Sequence, residues 1–302
     1  MTKTIGWELY RSLLGVLQEG SLSAAARALG ITQPTVGRHI DALEHALKLT
    51  LFIRSQGGLV PTEAALALRA YAEEMANTAA TLERVAASQG DGVQGTVRVT
   101  ASDIIGVEVL PAIIRRLQQD YPALVIELVL SNQPQDLLQR EADIAVRMFR
   151  PRQSQLVAQR IGAVNLGLHA HHDYLARRGR PTQLTDLADH TLIGFDTVTA
   201  FIRQTLKQFP SGFERERYAL RTDSDLAHLA LIRAGAGIGI CQVPLADRDS
   251  HLEAVLPRQL TFPLDIWLTM HEDLRQSPPI RATFDALAAG LQQYLASAAT
   301  PQ

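Results

Sequence analysis

The chain has 302 residues, of which 46% are hydrophobic and 20% are charged, so it is long enough for two or three globular domains. Its net charge of −2 excludes a protein that binds nucleic acid through bulk positive charge, and any DNA contact must depend on a few placed cations and on dimerisation. The single cysteine, Cys241, excludes an intrachain disulfide and a thiolate metal cluster.

The N-terminal residues lack the apolar core of a signal peptide, and no run approaches the length of a membrane span. We therefore expect a cytoplasmic protein with no membrane partner. The first sixty residues hold six Lys and Arg against four Asp and Glu, which is a weak local bias toward positive charge.

An amphipathic helix is predicted over residues 7–19. It is followed in the chain by residues 21–45, which predict two short helices joined by a tight turn. Ser21 is suited to cap the first of the two, and Gly30 to end it in the left-handed conformation. Thr32 is expected to cap the next helix, whose first turn tolerates proline. The residues at helical spacing that we expect to be buried are Val36, Ile40 and Leu43.

The opposite face of this next helix carries amide, hydroxyl and guanidinium side chains near its start. Such groups read base edges and phosphates in the major groove of DNA. We therefore predict a DNA-reading helix, and the alternative is a surface helical hairpin. The predicted DNA-binding residues on it are Thr32, Gln33, Pro34, Thr35, Arg38 and His39.

Two further elements follow. Residues 51–54 and 58–61 flank a Gly-rich turn and predict a two-stranded wing. Thr62 then begins a helix predicted to run to Gln89, whose apolar residues repeat at alternating spacings of four and three. These residues are Leu68, Ala72, Met75, Ala79, Leu82 and Ala86. The pattern favours a two-helix dimer contact over an ordinary helix packed on its own domain.

These segments together resemble the winged helix-turn-helix of LysR-type transcriptional regulators. The matching stretches are residues 13–29, 32–36, 40–44, 51–54 and 61–64. The resemblance implies that Arg54 contacts the DNA backbone at the base of the wing. It also implies homodimers that pair into homotetramers. Two departures are Gly37, where the family commonly has serine, and the uncharged wing tip around Gln56.

From residue 96 the pattern changes to alternating strands and helices, and the βαβαβ order of residues 96–147 predicts a parallel sheet with helices on both faces. Predicted strands lie at 96–100, 124–130, 143–147, 156–168, 192–195, 238–243 and 265–270. Predicted helices lie at 104–120, 135–140, 173–178, 201–209, 224–234 and 279–295. The resemblance implies two linked α/β lobes with a cleft between them for a small molecule.

We therefore predict an α/β chain overall, in three parts. Residues 1–61 form a mainly α winged helix-turn-helix, residues 62–89 a long linker helix that dimerises, and residues 93–302 a two-lobed effector-binding domain built like a periplasmic binding protein. The first lobe comprises about residues 93–161 and 266–302, and the second about residues 162–265.

The effector is expected where strands end and helices begin, since sheet proteins of this kind bind ligands there. The candidate residues are Ser102, Asn132, Arg147, Thr197, Thr199 and Ser224. Each could instead make a cap or a strand-end hydrogen bond, and capping is the favoured role for Ser224. For Arg147, a salt bridge to Asp143 or Glu141 is an equal alternative. The expected effector is a small molecule with a carboxylate or similar group, although Asp103 would disfavour an anion close by.

Other motifs do not point to chemistry. The glycines of residues 235–239 lie between a helix and a strand, which is the reverse of a dinucleotide-binding loop. His169, His171 and His172 lack partners at metal-ligand spacing, except Asp173, so a solvated loop is favoured and no metal site is predicted. Ser102 beside Asp103 is not part of a Gly-x-Ser-x-Gly elbow, and no catalytic residue is assigned.

The predicted function is sequence-specific transcriptional regulation, with double-stranded operator DNA and a small effector as partners and with no cofactor. A solute-binding protein, which residues 93–302 alone resemble, is the alternative of another class. An enzyme is the third choice.

Overall fold

The computed structural model describes residues 5–55, 58–87, 92–132, 142–151, 156–199, 202–203, 205 and 212–297. The chain divides into two compact units, the first spanning Met1–Ala86 and the second beginning at Ala87. The long helix predicted as a linker therefore groups with the N-terminal unit.

The N-terminal unit opens with three helices, α1 (Trp7–Glu19), α2 (Leu22–Leu29) and α3 (Gln33–Leu47). The Ser21 hydroxyl accepts a hydrogen bond from the Ala24 amide at 3.2 Å, and Gly30 ends α2 with a φ of 68°. Both predictions are confirmed. The core between the three helices includes the predicted residues of α3, Val36, Ile40 and Leu43.

The cap predicted at Thr32 is confirmed in its position but not in its side-chain hydrogen bond. Thr32 occupies the N-cap position of α3, but its side chain makes no cap hydrogen bond. Its hydroxyl lies 2.8 Å from the Thr35 hydroxyl instead. The two short side chains satisfy each other on the surface, and the backbone amides of Thr35 and Val36 bond to the Thr32 carbonyl.

The wing consists of β1 (Phe52–Ser55) and β2 (Gly58–Pro61), which pair antiparallel. Glu44 of α3 holds its first strand, because its carboxylate accepts hydrogen bonds from the amides of Leu51 and Phe52. Thr62 then caps α4 (Glu63–Ala87) as predicted, through a hydrogen bond from the Ala65 amide.

The second unit contains one large sheet. Its strands lie in the order β10 (Leu252–Val255), β6 (Leu156–His171), β11 (Thr261–His271), β5 (Ile144–Arg147), β3 (Gly95–Ala101) and β4 (Leu124–Leu130), and β9 (Gly239–Gln242) also pairs with β6. In its first lobe, β4 (Leu124–Leu130) and β5 (Ile144–Arg147) both run parallel to β3 (Gly95–Ala101), as the alternating pattern predicts. A π-helical turn (Ile105–Val109) leads into α5 (Leu110–Asp120). The last helix, α9 (Pro278–Ala296), packs against α5.

The second lobe is reached by two long antiparallel strands, β6 (Leu156–His171) and β11 (Thr261–His271). Its other strands are β7 (Ile193–Gly194), β8 (Leu220–Arg221), β9 (Gly239–Gln242) and β10 (Leu252–Val255). Its helices are α6 (His172–Arg178), α7 (Asp225–Arg233) and α8 (Val243–Ala246). Two clusters of buried apolar side chains form its core.

Two predicted helices are not fully described. Residues 135–140 lie outside the described residues, and of residues 201–209 only 202–203 and 205 are described, in helical conformation. Among the helices that the structure describes, none combines the length and apolar character needed to span a membrane.

Gly37 offers a test of the α3 analysis, because a Cβ added there would meet no atom within 4 Å. Alanine is a better helix former than glycine, so Gly37→Ala should raise the free energy of unfolding by up to about 1 kcal/mol. Gly30→Ala is the matched control, and strain at its positive φ should lower that free energy by about 1–2 kcal/mol. Urea denaturation measures both, and a change of the same sign in both variants would contradict the assignment.

Candidate nucleic-acid interface and effector site

The start of α3 presents a polar ridge, which we define as Thr32, Gln33, Thr35 and Arg38. Thr32, Gln33 and Arg38 are exposed, and Thr35 is half-buried. The Thr35 hydroxyl lies within hydrogen-bond distance of the Thr32 hydroxyl and accepts a 3.3 Å bond from Arg38 Nη2. The Ser23 hydroxyl of α2 donates to Gln33 Oε1 at 3.0 Å, which leaves the amide NH₂ of Gln33 available as a donor.

Pro34 is exposed beside this ridge, as expected, but His39 is placed differently. The ring of His39 is half-buried, and its Nδ1 lies 2.8 Å from the Ser12 hydroxyl of α1. His39 therefore ties α3 to α1 and is not free on the outer face. Arg54 belongs to β1, but its side chain lies outside the described part of the structure.

Ser102 lies directly after β3, as the sequence predicts, and its surroundings distinguish it from a simple cap. Its carbonyl accepts from the Gly106 amide in the π-helical turn. Its hydroxyl is buried and has no hydrogen-bond partner within the described residues. A buried hydroxyl without a partner is costly, so Ser102 is suited to a partner supplied by a ligand.

Asn132, after β4, bridges the two lobes. Its Oδ1 accepts from the Asp103 amide at 3.2 Å, and its Nδ2 donates to Asp103 Oδ2 at 3.2 Å. The same Nδ2 also donates to Asp225 Oδ2 at 3.1 Å, at the start of α7 in the second lobe. The pKa of Asp225 is raised, first by burial and then by the nearby charge of Asp103.

Two of the three second-lobe candidates, Thr197 and Ser224, lie at the residues just before α7. Ser224 caps this helix by accepting a hydrogen bond from the Ala227 amide at 3.2 Å, which is its favoured role from the sequence. The hydroxyl and amide of Thr197 both donate to Asp223, at 2.6 and 2.8 Å. Thr199 instead accepts from the Ile202 amide, as a local cap.

Arg147 lies apart from these residues in the interior of the sheet. Only 1% of its surface is exposed, and it donates to the Thr100 hydroxyl at 3.0 Å and to the Val146 carbonyl. Its guanidinium thus contacts Thr100 of β3, two residues before Ser102. The alignment of Ala101 with Val146 in the sheet brings Arg147 next to Ser102, and a direct contact between Arg147 and an effector stays a prediction.

A second inter-lobe contact lies at the other end of α7. Arg233 makes a bidentate pair with Glu108 of the π-helical turn, at 2.7 and 3.0 Å, and also reaches Asp249 at 3.3 Å. An open depression of about 260 Å³ adjoins it, lined by Glu108, Arg233, Leu245, Arg248, Asp249 and Ser250. Because Arg233, Glu108 and Asp249 already satisfy one another, we do not assign the effector to this depression.

Sequence reasoning missed the residues that complete these contacts. Asp225 follows a predicted cap, which gave no sign that its carboxylate meets Asn132, 93 residues away. Glu108 and Arg233 are 125 residues apart and sit in helical segments where a charge usually marks a solvated face.

Comparisons with known proteins cover nearly the whole chain. A family model described as the LysR substrate binding domain matches residues 90–292, and one described as a bacterial regulatory helix-turn-helix protein of the lysR family matches residues 7–66. The transcriptional activator TtdR of Escherichia coli K12 is 27% identical over 301 residues, which are 96% of each chain. A Xanthomonas campestris HTH-type transcriptional regulator is 28% identical over 175 residues, 58% of this chain but only 51% of that protein.

The fold also matches that of solved structures. Full-length CbnR, solved in complex with its target DNA, has a TM-score of 0.65 and 22% sequence identity, and the match covers 96% of this chain and 99% of that one.

His228 of α7 gives a prediction for the pH dependence of stability. The ring is buried and stacks on Phe195, and burial lowers its pKa from 6.5 to about 4. As the pH falls from about 6.5 to about 4, the unfolded chain therefore takes up a proton that the folded chain does not, and the free energy of unfolding falls.

The His228→Leu variant lacks this titration. We expect urea denaturation at several pH values to show the parent losing stability relative to the variant over that window. A difference between the two proteins that stays constant from pH 7 to pH 4 would contradict the assignment.

Proposed function

The chain belongs to the LysR family of bacterial transcriptional regulators, and we propose that it reads its operator with the polar ridge of α3 and is controlled by an effector bound at Ser102 and Asn132. The observation that carries the proposal is the buried, unpartnered hydroxyl of Ser102, within the described residues, one position before Asp103, whose amide and carboxylate both bond Asn132. A ligand bound at Ser102 would lie close to Asn132, which joins the two lobes through its bonds to Asp103 and Asp225.

The polar ridge supports the DNA assignment by its chemistry. Gln33 has a free amide NH₂, and the exposed guanidinium of Arg38 is held by a single long hydrogen bond within the described residues. An amide and a guanidinium are the groups that most often read adenine and guanine edges. The CbnR complex with its target DNA shows that this fold can carry a DNA reader in one related protein. We assign base contacts to Gln33 and Arg38, and leave His39 out because it bonds Ser12.

Dimerisation through α4 would bring a second DNA-reading helix to the operator. A DNA-binding domain with little net positive charge needs such a second contact to bind DNA. The apolar residues predicted to form the dimer contact of α4 divide into two groups. Leu68 and Ala72 are partly or fully covered within the chain, whereas Met75 and Leu82 are 41% and 68% exposed. Tyr71, 68% exposed, continues the same face by helical spacing. We propose that a second copy covers this face and that dimers pair further into tetramers.

The charge at the effector site determines what could bind there. Asp103 and Asp225 both accept from the same NH₂ group of Asn132, so each carboxylate retains lone pairs for a further donor. A carboxylate placed beside them would be repelled, which counts against the anionic effector expected from the sequence. We propose a small polar molecule that presents hydroxyl, amide or ammonium donors to these residues.

Control of DNA binding then follows from the position of α7. An effector that replaces the Asn132–Asp225 bond with its own bonds would favour a different spacing of the lobes. It could shift that equilibrium only by its difference in affinity for the two arrangements, and coupling of about 1–3 kcal/mol is typical. Because DNA is the proposed partner, we place this activity in the cytoplasm.

The Gln33→Ala variant tests whether the polar ridge of α3 recognises the operator sequence. Loss of the amide should cost about 1–3 kcal/mol of discrimination between the operator and a mismatched site, because the proposed contact between Gln33 and a base edge is lost. Fluorescence anisotropy with both DNA duplexes measures this, and Gln18→Ala, an exposed glutamine on α1, is the control. If discrimination by the two variants were equal, Gln33 would not read a base.

Met75→Glu tests the dimer face. A carboxylate buried in an apolar contact costs several kcal/mol, so the variant should sediment as a smaller species than the parent. Ala70→Glu adds the same charge at an exposed position on another side of α4 and should leave the assembly unchanged. An unchanged sedimentation coefficient for Met75→Glu would exclude this face as the dimer contact.

Ser102→Trp tests the effector site. The large ring should block the proposed site and abolish the response of DNA binding to the effector. Basal operator affinity should be kept, because the polar ridge of α3 is unchanged. Gln119→Trp, on the exposed face of α5 in the same lobe, should respond as the parent does. A folded Ser102→Trp protein that still responds at the parent's effector concentration would place the site elsewhere.

A further inference from the structure

Three histidines meet at one edge of the second lobe. His171 ends β6, His172 begins α6, and His251 immediately precedes β10. The antiparallel pairing of β6 with β10 sets Leu252 opposite His171, and the His172 amide donates to the His251 carbonyl at 2.9 Å. Backbone pairing therefore holds the three imidazoles together across 79 residues of sequence.

The spacing of the rings fits a metal ion. One ligand nitrogen from each of the three histidines can be chosen so that all lie within 4.8 Å of one another. His172 Nε2 and His251 Nδ1 are 3.2 Å apart. In a tetrahedral zinc site with Zn–N bonds of about 2.0–2.1 Å, two ligand nitrogens are about 3.3 Å apart. This pair already has that separation.

Asp173 orients one of these ligands. Its Oδ1 lies 3.0 Å from His172 Nδ1, so the carboxylate favours the tautomer with the proton on Nδ1. The lone pair of His172 is then on Nε2, which faces His251. A carboxylate that holds the far nitrogen of a ligating histidine is the usual outer partner in zinc sites, where it fixes the ring and raises its basicity.

His171 would be the third metal ligand, provided that one of its present hydrogen bonds breaks. Its ring is stacked parallel to that of His251, with centroids 5.4 Å apart, and its Nδ1 accepts a hydrogen bond from the Asp173 amide at 3.1 Å. Ligation through Nδ1 would exchange that hydrogen bond for the metal. His171 and His172 are half-buried and His251 is exposed, so an ion can enter from solvent.

We propose that His171, His172 and His251 form a binding site for a divalent transition metal ion that prefers imidazole, with Zn²⁺ as the reference ion. Asp173 supports His172, and water fills the fourth position. The ion would join β6, α6 and the segment before β10, and would thereby stabilise the second lobe by binding the folded state alone. His169 takes no part, since its buried ring bonds the Gly167 carbonyl.

The test uses the full chain without an affinity tag, first stripped with a chelator and then titrated with Zn²⁺ by calorimetry and with Co²⁺ by visible absorption. The parent should bind one ion per chain, show the intense bands of tetrahedral cobalt, and melt at a higher temperature with Zn²⁺ than without it. Asp173→Asn should weaken binding about 10- to 100-fold, because it removes an outer partner only.

His251→Ala and His172→Ala should weaken binding by more than that and lose the cobalt bands and the thermal shift. His45→Ala removes an exposed histidine of α3 and should bind the ion as the parent does. Circular dichroism confirms that each variant is folded, and the exposed position of His251 makes that substitution mild. The absence of saturable binding in the parent, or equal affinity in His251→Ala and His45→Ala, would overturn the proposal.

Discussion

The second unit depends on how helix α7 is held, because this helix of the second lobe is joined to the first lobe at both ends. Asp225 at its start accepts from Asn132, and Arg233 at its end forms a bidentate pair with Glu108. Two anchors on one rigid helix fix the separation and the tilt of the lobes together. In the proposed function, a ligand that changes one anchor would also change the geometry at the other, and a small molecule would thereby control a movement of one lobe relative to the other.

The two anchors differ in strength. Charge-assisted bidentate pairs are stronger than ordinary hydrogen bonds, so the Arg233–Glu108 contact is the firmer one. At the other end, one Asn132 amide is shared between two carboxylates, and both burial and the charge of Asp103 raise the pKa of Asp225. An added donor would relieve this electrostatic cost, since it would satisfy the carboxylates without the sharing. This difference is the reason why we propose the weaker anchor as the effector site.

Local features of the fold could be predicted from the sequence, whereas long-range contacts could not. The burial of Val36, Ile40 and Leu43 follows from helical spacing, and the end of α2 follows from Gly30, because each depends only on nearby residues. The contact of His39 with Ser12 could not be predicted, because Ser12 lies on another helix, 27 residues away. The cluster with His251 and the pair between Glu108 and Arg233 depend on contacts across 79 and 125 residues, and no spacing rule reaches that far.

Quantitative footprinting of the full chain on the DNA upstream of its own gene, at physiological salt, tests the central claim most directly. We predict a protected segment with two half-sites, lost in a variant with alanine at Gln33, Thr35 and Arg38. The ends of the protected DNA segment should shift when the effector is added to the parent protein. They should not shift when it is added to the Ser102→Trp variant. Equal protection by the parent and the alanine variant, or protection without sequence preference, would contradict an effector-controlled reader built on α3.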